Sequence, residues 1–213
     1  MKNKTTVFQS LDENNWWDIF QYGYMFSFED KIYYSKIENL EIVKEGQQKF
    51  SKNAYNHNLS GDLEKGFQID YTDEKNIVLF KNELKIHLGR IIGQEIKNLS
   101  FTNEDEQEDI WINIMEPTDY NPVHIHSGYM SFVIYLDVKD EIRQEHKEQI
   151  GTVSSRGLIE FFSKRSDDSL LFNPRAGDIL IFDSTHKHTV YPFYSDCQRV
   201  TIAGNIYHIE VKN

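Results

Sequence analysis

The chain has 213 residues, 39% hydrophobic and 14% aromatic, enough to bury a real core and suited to one domain. Its formal charge of −11 argues against a nucleic-acid partner, because broad phosphate binding needs a surplus of Lys and Arg. No stretch approaches the roughly 18 apolar residues of a membrane span, and the lone Cys197 excludes an internal disulfide or a cysteine-built zinc cluster.

The first residues, Met1 to Ser10, turn polar again after Val7 and Phe8, so no secretion signal is read. A reducing, cytoplasmic setting is expected, with Cys197 as a structural thiol rather than a nucleophile. There are no repeats and no Pro/Gly/Ser-rich linker. Residues 1–213 are therefore expected to form a single domain, with 1–109 a mixed strand and helix support and 110–207 a β-rich core.

Along the chain, aromatic residues between Trp16 and Phe28 include an alternating run that reads as a strand. Residues 37–53 read as a helix with a charged face, and Leu59-Ser60-Gly61-Asp62 as a turn. Residues 74–97 carry Ile77, Phe80, Leu84, Leu88 and Ile91 at spacings of three and four, which predicts a helix packing one apolar stripe on a sheet. His87 beside that stripe is expected to be a packing or surface residue rather than a ligand. The acidic run 103–109 reads as a solvated loop.

From Ile110 the pattern changes to short strands at 111–115, 131–138, 157–162, 178–182 and 199–207, rich in β-branched and aromatic residues. Turn residues separate them, notably in Asn173-Pro174-Arg175-Ala176-Gly177-Asp178. Short strands without intervening helices predict an antiparallel sandwich or jelly roll, mainly β with flanking helices. A polar connector at 139–156, containing Arg143, His146 and Lys147, interrupts them as a lid or an inert surface loop, with His146 in solvent.

Two histidine clusters carry the chemistry. The first is Asn121-Pro122-Val123-His124-Ile125-His126, the second His186-Lys187-His188. Imidazoles at i and i+2 of a strand share a face, and neutral imidazole suits iron, copper, nickel and zinc. One ion held between the clusters makes a metalloenzyme the first hypothesis. Downstream, Arg199, Thr201, Ala203, Asn205 and Tyr207 fall on one face of the last strand. That face points to water or, in a small barrel, lines a cavity, where Arg199 needs an anion.

The order Trp111-x-Asn113, Asn121-Pro122-x-His124-x-His126, Ser131-x-x-x-Tyr135-Leu136, Gly177-Asp178-x-x-x-Phe182, His188-x-Val190-x-Pro192 and Arg199-x-Thr201 with Asn205 resembles the iron(II)/2-oxoglutarate oxygenases common in phages and bacteria, relatives of the prolyl-hydroxylase type. The resemblance covers about 110–207 closely, and Leu59-Ser60-Gly61 with Lys65-Gly66-Phe67 more weakly. It implies a double-stranded β-helix, Fe(II) as metal, 2-oxoglutarate as co-substrate and O₂ as oxidant. A C–H bond of an unidentified prime substrate would be hydroxylated, with succinate and CO₂ released. By register, His124 matches the first metal ligand and His188 the distal one, leaving His186 as a neighbour. Arg199 matches the partner of the co-substrate's distal carboxylate, with Thr201 adding a hydroxyl. Asn113 and Tyr135 are candidates for the same carboxylates, or core residues.

This chain departs from the family at His126, where the usual triad carries Asp or Glu. Three arrangements are open: His126 as a third neutral ligand, an open position with His126 off the metal, or a carboxylate from Asp119 or Asp183. The i, i+2 geometry favours direct ligation. Two competing identities remain. A cupin-type dioxygenase or isomerase would share the fold, but Gly128, Tyr129, Met130 and Ser131 stand where its glutamate is expected. A non-catalytic jelly-roll binding protein would bind no metal.

Overall fold

A central strand buries both faces only if something covers each of them, and the two faces of the largest sheet here are covered by different layers. The structure, a computed structural model, describes residues 5–9, 32–37, 61, 65–68, 74–103, 108–148, 155–165 and 167–212. The strand expected between 16 and 28 lies outside them, as do the helix over 37–53 apart from Ile37 and the turn at 59–62 apart from Gly61.

The larger sheet runs in the order β2 (Ile32–Lys36), β10 (Asp178–Asp183), β7 (Met130–Asp137), β12 (Arg199–Ile206), β5 (Ile110–Met115) and β3 (Lys65–Gln68), all antiparallel. The smaller sheet runs β1 (Thr5–Gln9), β9 (Ser169–Asn173), β8 (Ile159–Phe162), β11 (His188–Val190) and β6 (Asn121–His124), with only β1–β9 parallel. Two helices, α1 (Glu74–Ile92) and α2 (Asp140–Glu148), and a ribbon of β4 (Ile96–Ser100) with β13 (His208–Val211) complete the described residues.

Behind the larger sheet, Leu84 and Leu88 of α1 pack with Ile112, Ile134, Ile181 and Ile202. Between the sheets, Tyr135, Leu180 and Phe182 meet Ile159, Phe161, Leu170 and Phe172. These two layers explain why β12 is buried on both faces, and why its polar side lines an interior rather than facing water. The fold is the expected double-stranded β-helix, with a helix against the sheet.

Three expectations need correction. The helix over 74–97 stops at Ile92: Gly93 adopts φ +75° and its N–H closes the last turn on the Gly89 carbonyl at 2.8 Å. Residues 96–97 belong to β4 instead. The connector is neither loop nor loose lid across 140–148. Ile142 of α2 is buried with Met115 and Phe193, and the Glu145 carboxylate accepts the Tyr194 and Ser195 N–H groups, the latter at 2.7 Å. Gly157 completes that contact, at φ +71° with no room for a Cβ beside Ile142. The side chain of His146 lies outside the described residues. The acidic run is not solvated throughout either: residues 104–107 are outside the described set, and Asp109 is only 8% exposed. Of the two places left open for His87, packed or on the surface, the structure has it buried.

Candidate metal centre

β6 and β11 pair antiparallel with His188 opposite His124, but Val190 opposite Asn121. Three residues on β6 therefore span what two span on β11, and such a bulge re-aims side chains. Its effect here is to bring Asn121 and His124 onto one inward face, both lining the same cavity. His126 follows where β6 ends, its N–H bonded to the Ser184 carbonyl at 2.8 Å.

The imidazoles of His124, His126 and His188 converge, with candidate ligand atoms all within 4.8 Å of one another. Nδ1 of His124 lies 2.7 Å from the Pro122 carbonyl, and Nδ1 of His188 lies 2.9 Å from the His186 carbonyl. A carbonyl only accepts, so both Nδ1 atoms carry the proton and both Nε2 lone pairs are left for a metal. Nε2 of His126 and Nε2 of His188 stand 3.3 Å apart. Two nitrogens each about 2.1 Å from one ion would be separated by roughly 3.0–3.4 Å, from right-angled to tetrahedral. The spacing fits a shared ion.

Burial, together with the neighbouring imidazoles, keeps the rings neutral. His126 is pushed down to about 3, first by desolvation and then by His124, with Asp109 opposing. Desolvation lowers His188 well below the usual range, and lowers His124 too. Neutral imidazole is the ligating form.

Across the cavity, β12 and its neighbours set polar residues in a row. Thr201 pairs with Asn113 on β5 and with Tyr135 on β7. One row further, Arg199 pairs with Met115. Arg199 is 0% exposed, donating from Nη1 to the Gly157 carbonyl at 2.7 Å and from Nη2 to the Met115 thioether at 2.9 Å. Its Nε has no acceptor, and among the described residues no carboxylate bonds the guanidinium. A buried cation in that state is costly unless an anion joins it. Tyr135 is fully buried and its phenol is raised by desolvation, so it keeps its proton and can donate.

Four other sequence candidates fall elsewhere. His186 sits in the turn before β11 with its ring edge-on to Phe161 at 5.7 Å, outside the convergent set. The idea that both histidine pairs share one ion thus reduces to three of the four rings. Asp119 accepts the Glu116 N–H, and Asp183 accepts from Thr185 and pairs with Lys164. Cys197 packs with the Phe193 cluster. Two residues escaped sequence reading. Asn121 reaches the cavity only because of the bulge, and Asp109 was hidden in a run of like charges.

The rings open on a cavity of about 320 Å³, walled by Trp111, Asn113, Phe182 and Asn205 among others. The Trp111 and His126 rings lie 5.9 Å apart. Residues 109–205 match a family described as "Putative 2OG-Fe(II) oxygenase". Among curated proteins, none matches the sequence. In fold, the chain is similar to a Pseudomonas putida prolyl-4-hydroxylase at TM-score 0.54 and 13% identity, over 84% of this chain and 93% of that one. A prolyl hydroxylase from Trichoplax adhaerens, solved with a hypoxia inducible factor peptide, gives TM-score 0.51 and 14% identity over 81% of each chain. AviO1 from Streptomyces viridochromogenes gives 0.54 and 12%, over 87% of this chain and 93% of that one.

Proposed function

We propose that this chain, whose residues 109–205 match a 2OG-Fe(II) oxygenase family and whose fold is similar to that of a prolyl-4-hydroxylase, is a hydroxylase whose iron(II) is held by His124, His126 and His188. One observation carries the assignment: three neutral, convergent imidazoles share an interior with a buried arginine that no carboxylate bonds among the described residues. Bound iron(II) with 2-oxoglutarate and O₂ supplies the family's chemistry, oxidative decarboxylation coupled to hydroxylation of a C–H bond.

The chain's own residues bind, orient and exclude. Arg199 offers its fork of donors to the distal carboxylate of 2-oxoglutarate, and Thr201 adds a hydroxyl from the next row. The Tyr135 phenol and the Asn113 amide donate from the flanking strands to the same anion. Three uncharged ligands leave the metal one unit more positive than two histidines and a carboxylate, which strengthens its hold on a dianion. Phe161 and Phe182, packed against His188 at 5.5 and 4.9 Å, keep water from that side of the site. The prime substrate is a small molecule or a protein side chain reaching the cavity. A cupin-type site would give the buried Arg199 no role.

Anaerobic titration with iron(II), then 2-oxoglutarate, tests this. A weak visible charge-transfer band requiring both is expected. Metal binding indifferent to 2-oxoglutarate would favour the cupin-type site, and no metal binding would sink the assignment.

A further inference from the structure

The three imidazoles are not held alike. His124 ends β6 and His188 begins β11, and each has its Nδ1 fixed by a main-chain carbonyl. His126 instead lies in the connection 125–129 between β6 and β7, where Ile125, Ser127, Gly128 and Tyr129 are all exposed. Among the described residues no hydrogen bond reaches its Nδ1, while its Nε2 faces that of His188 at 3.3 Å. The ring is flanked by Trp111 at 5.9 Å and Phe182 at 6.4 Å. Exposed connections move more than the strands they join, and a ligand must be held within about 0.5 Å of its working position. The main chain around His126 therefore has to be fixed by other means.

One chain of hydrogen bonds clamps it from both sides. On one side the His126 N–H bonds the Ser184 carbonyl at 2.8 Å. On the other, Oγ of Ser127 lies 2.6 Å from the Tyr207 phenol, which also bonds Oδ2 of Asp109. The same carboxylate oxygen takes the Asn205 amide at 3.5 Å, and Oδ1 of Asn205 takes the Ser131 hydroxyl at 2.8 Å. Oγ of Ser131 is in turn 3.0 Å from Oγ of Ser184. The chain thus leaves residue 127 and returns to residue 126. Its members gather where β5, β7, β10 and β12 begin or end, with Asn205 and Ser131 directly opposed on β12 and β7. The turn itself closes on β12: the Tyr129 N–H bonds the Ile206 carbonyl at 2.8 Å, and Gly128, at φ +85°, lies against the same carbonyl.

A carboxylate only accepts, so the phenol gives its single proton to Asp109 and receives that of Ser127. Asn205 donates from Nδ2 and accepts at Oδ1, which sets the direction of the links on its side. Asp109, Ser131, Ser184 and Asn205 are all buried, where hydrogen bonds strengthen and a broken one leaves its partner unsatisfied. Ser127 is exposed and Tyr207 half-buried, so losing the bond between them frees the turn while the core packing stays. We propose that Tyr207 is a positioning residue for the metal: through Ser127 on one side and Asp109 on the other, it holds the exposed turn so that His126 meets the ion shared with His124 and His188. The inference rests on the three-histidine reading of the site and names the residues that make its third ligand usable.

The test is a mutant cycle read by Co(II), whose visible absorption reports its ligand set. Co(II) is titrated into the full-length wild type, Tyr207→Phe, Ser127→Ala, His126→Ala, and His126→Ala combined with each of the other two. Tyr207→Phe and Ser127→Ala should each weaken Co(II) binding by about 10-fold, no more than His126→Ala does, and shift the absorption toward that of His126→Ala. In the His126→Ala background neither should weaken it further, because the two changes act through the same ligand. Wild-type affinity in both single variants would overturn the proposal. So would an equal loss with and without His126, the mark of a residue that only supports the fold. Wild-type affinity in His126→Ala would instead sink the ligand assignment on which the proposal stands. Ser127→Ala, at an exposed position, decides alone if Tyr207→Phe does not fold.

Discussion

Replacing Arg199 with methionine separates binding from folding, because the guanidinium serves no acidic partner among the described residues. The side chain is 0% exposed, and its acceptors are the Gly157 carbonyl and the Met115 sulfur. Methionine keeps much of the apolar stem. In the absence of co-substrate the substitution leaves the Gly157 carbonyl short of a donor, at about 1–3 kcal/mol. It also removes a buried unpaired charge, whose penalty is several kcal/mol. The two effects offset, so Arg199→Met should melt no earlier than wild type without 2-oxoglutarate. With co-substrate the balance reverses. Loss of one partner of a desolvated charge pair costs about 2–5 kcal/mol, or roughly 30- to 5000-fold in affinity. Calorimetric titration of 2-oxoglutarate into Mn(II)-loaded protein reads the affinity, and thermal melts with and without co-substrate read the coupling. Mn(II) affinity itself should change little. Unchanged 2-oxoglutarate affinity in Arg199→Met would refute the role given to this residue, and marked destabilisation without co-substrate would refute the claim that its charge is unpaired.

Three other outcomes are expected. His126→Ala should weaken metal binding by about 10-fold or more, and His126→Asp should restore it by recreating the two-histidine, one-carboxylate set; wild-type metal affinity in the alanine variant would exclude direct ligation. His186→Ala should retain metal binding, since its ring lies outside the convergent set and its backbone carbonyl, which meets His188, is kept, and metal-free protein from this variant would show that the distal ligand was misassigned. Asp178 is raised from 3.8 to about 6, chiefly by burial. A carboxyl that holds its proton more tightly when folded stabilises the fold below about pH 4, and loses that contribution as pH rises through about 6. Denaturant titrations should therefore show Asp178→Asn gaining up to about 3 kcal/mol on wild type between pH 4 and pH 7, and parallel pH profiles would contradict the shift.

What the sequence revealed about the fold and the site depended on periodicity and spacing. Leu84 and Leu88 repeat with the helix, and β12 alternates, so both were visible; so were the histidines at 124 and 188 and the arginine beyond them. Features created by pairing across strands were not. The bulge that turns Asn121 inward exists only in the register of β6 against β11. Asp109 looked solvated because its neighbours are charged, yet it is buried where the chain enters β5 and meets Asn205 on β12. α2 was missed since its charged composition gives little apolar pattern, and its docking rests on Ile142 and one carboxylate, Glu145. The end of α1 was set by the φ of a single glycine, a local event that the apolar stripe ran past.

The two carbonyls that orient His124 and His188 have a consequence for inheritance. Each belongs to the residue two positions earlier in the same stretch of chain. In many metal sites a carboxylate side chain from a distant segment performs this task, and one point mutation can delete it. Here the orienting atom is part of the main chain, so no codon change at Pro122 or His186 erases it while the backbone path holds. The proton position on both rings is thus protected from mutational drift, and a lineage could rework the surrounding cavity for new substrates without disturbing how these two imidazoles are oriented.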